Sequence, residues 1–147
     1  VPDKTGTTLT LRAGRIGRVY VRFVTDAGID EMQLSGIAVD KKAPTKTKIK
    51  VNRSGIKTLK TSTKTSYNKK IKKSAKFVFS ASYGISGKSK TQYKIVPKGK
   101  KASKYRWKTA NKITYKKKNK KVSIYARFID KCGNITQRKS SGFYITK

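Results

Sequence analysis

Apolar and polar residues alternate with a period of two through much of this chain, the pattern of strands with one buried face. Ala75–Ser82 alternates about Phe77 and Phe79, Thr91–Val96 about Tyr93 and Ile95, and Val122–Asp130 about Val122, Ile124, Ala126 and Phe128. Thr47–Val51, Tyr105–Thr109 with Trp107, a short Ile113–Tyr115 and a closing Phe143–Lys147 read as further strands. No stretch holds a 3.6-residue period. Seven short strands in about 100 residues predict a β-sandwich. Residues 1–40 give three more strands, about Thr7–Arg12, Arg18–Thr25 and Gln33–Val39, too few to bury a core alone.

The two stretches share a repeat. Tyr20-Val21-Arg22-Phe23-Val24-Thr25-Asp26-Ala27-Gly28 aligns with Tyr125-Ala126-Arg127-Phe128-Ile129-Asp130-Lys131-Cys132-Gly133, 105 residues on. Gly36-Ile37-Ala38-Val39 follows the first copy and Gly142-Phe143-Tyr144-Ile145 the second. Each copy reads as strand, glycine turn, closing strand. By this match residues 1–40 are the last three strands of a unit of which 43–147 is a full copy.

Composition sharpens the division. The chain has 147 residues, 39 Lys and Arg, 6 Asp and Glu, no His and one Cys, for a net charge of +33. Residues 1–40 hold five bases and five acids, so they are neutral; residues 41–147 hold 34 bases and one acid, Asp130, so all +33 lies there. The break falls at Asp40-Lys41-Lys42-Ala43-Pro44-Thr45, where the proline forces an extended backbone, and reads as a linker between units 1–42 and 43–147. Aromatics at 10% argue for a folded chain despite the charge. A start at Val1, without initiator Met or signal peptide, is expected of a fragment or processed chain.

Without His there is no imidazole base, no Ser-His or Cys-His pair and no His-based zinc site. With one Cys there is no internal disulfide or Cys-rich metal cluster. No run approaches the roughly 20 apolar residues of a membrane helix. The expectation is a non-enzymatic protein with no cofactor, no metal and no catalytic residues, and without membrane insertion.

The string Tyr125 to Asn134, with its Arg-x-x-Asp-x-x-Gly-Asn turn, and the linker Val39-Asp40-Lys41-Lys42-Ala43-Pro44-Thr45 resemble bacterial immunoglobulin-like repeat domains. Ser82-Tyr83-Gly84-Ile85-Ser86-Gly87 and Gln92-Tyr93-Lys94-Ile95 resemble that family's turn and strand near the second and third strands. The resemblance implies an immunoglobulin-like sandwich at 43–147 with a partial unit before it. It also implies a place in tandem arrays outside bacteria, at the cell surface or wall, as spacers, stalks or adhesive modules. The chain departs from the family in having Ile29 after Gly28 where Asn134 follows Gly133, and in its extreme basicity.

Most polar residues in these motifs have plain structural readings. Asp130 and Asn134 flank Gly133 as turn residues, since calcium requires six or more oxygens and this segment has one acid. Cys132 stands where the first copy has Ala27, a small turn residue. Trp107 and the tyrosines read first as packing and only second as a stacking platform.

The lysine runs are different. They are Lys69, Lys70, Lys72 and Lys73; Lys98, Lys100 and Lys101; and Lys116, Lys117, Lys118, Lys120 and Lys121. In sandwich topology all three fall in connections at one end, so the twelve side chains, with Lys147 nearby, are expected to converge on a single pole. Lysine binds as a point charge, so the expected partner is an anionic polymer, held in a salt-dependent way with little sequence preference. Teichoic acid, extracellular DNA, acidic polysaccharide or a sulfated or sialylated host glycan would qualify. Adjacent repeats or self-association are further expected partners. The alternatives are a nucleic-acid-binding protein, or a structural subunit of an extracellular fibre or layer joined through the open edges of residues 1–40.

Overall fold

In the computed structural model most of the expected segments are strands; residue 10, residues 14–52 and residues 54–147 are described, and they contain no α-helix. The first pair, β1 (Arg15–Thr25) and β2 (Gly28–Val39), is an antiparallel hairpin that forms a sheet of its own. Gly28, at φ 147°, follows the two-residue turn, a backbone region that favours glycine. The expected strand Thr7–Arg12 lies outside the described residues apart from Thr10, which is in no strand. The hairpin leaves large apolar side chains in solvent, among them Phe23, Val24 and Ile29 at 53%, 69% and 66% exposure. Arg22 and Glu31 face each other across it at 3.8 Å, a solvent-exposed pair of little energetic weight.

The remaining strands form two sheets. The first runs β10 (Lys112–Tyr115), β7 (Ala75–Ser82), β3 (Thr45–Val51), β4 (Ser54–Gly55), all antiparallel. The second is built on β11 (Val122–Asp130), which pairs along its length with β8 (Lys88–Pro97) on one edge. On the other edge β11 meets β12 (Ile135–Ser140) and then, at Val122, β13 (Phe143–Thr146). β5 (Thr58–Lys60) extends the sheet beyond β12, β6 (Lys69–Lys72) runs parallel to β13, and β9 (Lys108–Thr109) adds to β8.

The inner faces of the two sheets share one core. Ile49, Val51, Phe77, Phe79 and Tyr115 come from the first; Val122, Ile124, Ala126, Phe128, Phe143 and Ile145 come from the second. Phe143 lies at its centre, 5.0 Å from the ring of Phe77 and 5.7 Å, edge to face, from Tyr115.

The architecture is thus all-β and consistent with a sandwich, with more pieces than the seven expected strands. The added ones are β4, β5, β6 and β12. Trp107 precedes a two-residue strand rather than lying inside Tyr105–Thr109, because the chain first makes a 3-10 turn at Ala102–Lys104.

The closing strand breaks between β12 and β13, where the backbone turns to meet the 57–67 segment. The Ser141 N–H donates to Lys57 O at 2.8 Å and the Gly142 N–H to Ser66 O at 2.5 Å. A β-carbon on Gly142 would fall onto the ring of Tyr67 and within 2.7 Å of the Ser66 carbonyl oxygen. Gly142→Ala should therefore destabilise the fold by about 2–3 kcal/mol, as overpacking against fixed backbone does. Denaturant titration of the variant checks this, and an unchanged midpoint would refute the close approach.

Candidate functional site: a lysine-rich rim at one end of the sandwich

The second and third lysine runs sit where the backbone reverses, whereas the first, expected in a connection, lies mostly within strand β6 and reaches a turn only at Lys73. Lys73 (φ 61°), Gly99 (φ 78°) and Asn119 (φ 56°) all hold the left-handed conformation that tight turns require. The first run occupies β6 and the turn after it. Lys69, Lys70 and Lys72 pair with Phe143, Tyr144 and Thr146, and the Lys73 N–H donates to Thr146 O at 3.1 Å.

The third run lies at the same end. Lys118 bridges Ile145, and the Asn119 N–H donates to Ile145 O at 2.9 Å. The second run abuts the third, since the Lys98 N–H donates to Lys121 O at 2.8 Å, and it closes its own turn from the Lys100 N–H to Pro97 O at 3.1 Å. The order around the rim is therefore first run, end of β13 with Lys147, third run, second run.

All twelve expected side chains are exposed: Lys69, Lys70, Lys72, Lys73, Lys98, Lys100, Lys101, Lys116, Lys117, Lys118, Lys120 and Lys121. Neighbouring strands lie about 4.8 Å apart, inside the screening length of about 8 Å at physiological salt. The cations therefore repel one another, and an anion laid across them relieves that cost.

The rim is not the whole of the basic surface. The outer face of the first sheet carries Lys48, Lys50, Lys76 and Lys112, all exposed, with Lys50 and Lys112 on either side of Val78. These were open to sequence reasoning, because Lys48 and Lys50 alternate with the buried Ile49 and Val51.

The opposite end holds the two acids of residues 40–147, both in structural roles. Asp130 is 1% exposed; its Oδ1 accepts the Asn134 N–H at 2.9 Å and its Oδ2 the Asn134 amide at 2.9 Å. The Asn134 amide also donates to the Asp40 carbonyl at 2.6 Å. The Asp40 carboxylate accepts the Lys42 N–H at 2.8 Å and the Ser86 hydroxyl at 2.9 Å. The linker is thus pinned to two turns from Asp40 onward, three residues before the expected boundary.

The Lys42 N–H and then the Ser86 hydroxyl hold the Asp40 carboxyl below the ordinary aspartate value. A depressed folded-state pKa means stability that is complete above the unfolded value, about 4, and is lost as pH falls through the folded one. Asp40→Asn should flatten the acid side of the stability curve below about pH 4. An acid limb identical to that of the unaltered chain would contradict it.

Trp107 faces cations rather than an open surface. Lys94 Nζ and Arg127 Cζ each lie 4.5 Å from its ring centroid. Arg127 donates to Gln92 at 2.7 Å, and the Lys94 ammonium donates to Ala102 O at 2.7 Å. Burial, then the neighbouring Arg127, lowers the Lys94 pKa. Sequence reading placed Lys94 on the polar side of β8 and missed its burial, because the cover comes from the distant 102–107 segment. Among the described residues no group of three potential metal ligands is assembled, and no helix is long and apolar enough to cross a membrane. No family model matches the chain, and no curated protein or solved structure matches it either.

Proposed function

We propose that this chain is a non-enzymatic, extracellular immunoglobulin-like module of a bacterial surface protein, a spacer or adhesion domain whose lysine-rich rim holds an anionic polymer of the cell wall or of a host surface. The observation that carries the reading is the lateral arrangement of the three lysine turns around the end of β13. The immunoglobulin-like assignment draws support from the first-strand region, which pairs with β7 in one sheet and returns as β6 beside the last strand in the other. The half-unit reading of residues 1–42 draws support from the hairpin's exposed Val24 and Ile29, cross-strand neighbours on one face that an adjoining sheet would cover.

Binding is tested with poly(glycerol phosphate), a sulfated polysaccharide and duplex DNA at several salt concentrations. With about six contacts engaged, affinity should fall roughly a thousandfold between about 50 and 200 mM salt, with a log–log slope near 0.9 per contact on the duplex. No binding at about 50 mM salt to any of the three would reduce the module to a spacer. Preference among unrelated DNA sequences would instead favour a nucleic-acid-binding protein.

A second reading, a subunit of an extracellular fibre or layer, rests on the outer edges of β1 and β2, which pair with no other strand among the described residues. It requires concentration-dependent association, which sedimentation measures. A monomer at high concentration removes it.

A further inference from the structure

Beside the rim the second sheet opens. β9 pairs with Gln92 and Tyr93, and among the described residues no strand lies along Lys94–Pro97 on that side. The gap between this edge, the 105–108 segment and the start of β11 is a cleft of about 400 Å³. Tyr93, Tyr105 and Tyr115 line it. So do five cations, Lys94, Arg106, Lys108, Lys117 and Lys120, with no carboxylate among the lining residues. We propose that this cleft is a subsite for one acidic sugar unit of the polymer, a ring bearing a sulfate, phosphate or carboxylate group. The proposal rests on the polymer-binding reading above and narrows its ligand.

Three observations favour this occupant. Lys117 and Lys120 belong to the third lysine run, so the cleft and the rim form one surface, and a chain laid over the rim passes its mouth. The volume is near the lower end of the range for small-ligand pockets, about 300–1,000 Å³, which suits a ring or two rather than a peptide. The lining pairs aromatic bodies, which cover the C–H face of a sugar, with phenol and ammonium groups that bond its hydroxyls and its acid.

The full chain is titrated with N-acetylglucosamine 6-sulfate, glucose 6-phosphate, glucuronate, AMP and inorganic phosphate at constant ionic strength, and amide shifts are followed by NMR. At least one acidic sugar should produce saturable shifts confined to residues 93–97, 105–108 and 115–122, and which one saturates first identifies the acid group. Arg106→Gln, at an exposed position, and Tyr105→Ala should each weaken that binding about tenfold or more. Lys48→Gln with Lys50→Gln, on the outer face of the first sheet and away from both cleft and rim, should leave it within twofold.

Inorganic phosphate giving the same shifts at the same concentrations would overturn the proposal, as would AMP binding the cleft more tightly than every sugar. Non-saturating shifts spread over all the lysine turns would do so too. Polymer binding that persists while no acidic sugar binds overturns the subsite alone; loss of both overturns the polymer reading with it.

Discussion

Phe143→Ala should leave residues 40–147 largely unfolded at 37 °C. Phe143 is fully buried and touches the rings of Phe77 and Tyr115, and its backbone stands where β13 meets Val122 of β11. Truncating such a phenylalanine costs about 3–5 kcal/mol in lost transfer energy and cavity. Domains of this size have only about 5–15 kcal/mol to lose, and here self-repulsion lowers the starting point, because two acids oppose 34 bases. A thermal midpoint lower by roughly 20 °C is expected. Ile85→Ala, at a side chain 46% exposed, should shift stability by about 0.5 kcal/mol or less. Equal effects from the two substitutions would mean that Phe143 is not at the centre of the core. Because the rim is assembled on β13, the Phe143 variant should also lose polymer binding, and added polyanion should partly restore its midpoint.

The strands legible in the sequence were those whose alternation is set by the core. β7 and β11 run over the expected Ala75–Ser82 and Val122–Asp130, because every second side chain there meets the other sheet. β6 was hidden. Lys69-Lys70-Ile71-Lys72 reads as a charged loop with one apolar residue, and only parallel pairing with β13, more than 70 residues away, makes it a strand. β12 was hidden likewise, since Ile135 is exposed and its remaining residues are polar.

Two of the motifs behind the family resemblance, the Asp40 linker and the Asp130–Asn134 turn, prove to touch, through Asn134 and Asp40. A single sequence shows both but not their contact. The lysine runs were legible as charge, but the first proved to lie in β6 and not in a connection, so its place beside β13 was not legible in the strand ends. The cleft was not legible, because Tyr105, Tyr115 and Lys120 come together only across two sheets.

Neutralising the rim should weaken polymer binding far more than removing the same charge elsewhere. Lys72, Lys100, Lys118 and Lys121 sample all three runs around the end of β13. Lys48, Lys50, Lys76 and Lys112 form a control set on the outer face of the first sheet, equally exposed. Changing either set to glutamine lowers the net charge by four, so long-range attraction falls equally in both. Only lost contacts with phosphate or sulfate groups alter the counterions released, at about 0.9 per contact on duplex DNA.

The decisive measurement is the slope of log affinity against log salt for the unaltered chain and these two variants on the same polyanion. The slope of the rim variant should be shallower by about 3, with affinity at about 50 mM salt down at least a hundredfold, while the face variant keeps its slope within about 1. Equal losses in the two variants, or a larger loss from the face, would show that the chain holds acidic polymers by its overall charge and not by a built rim.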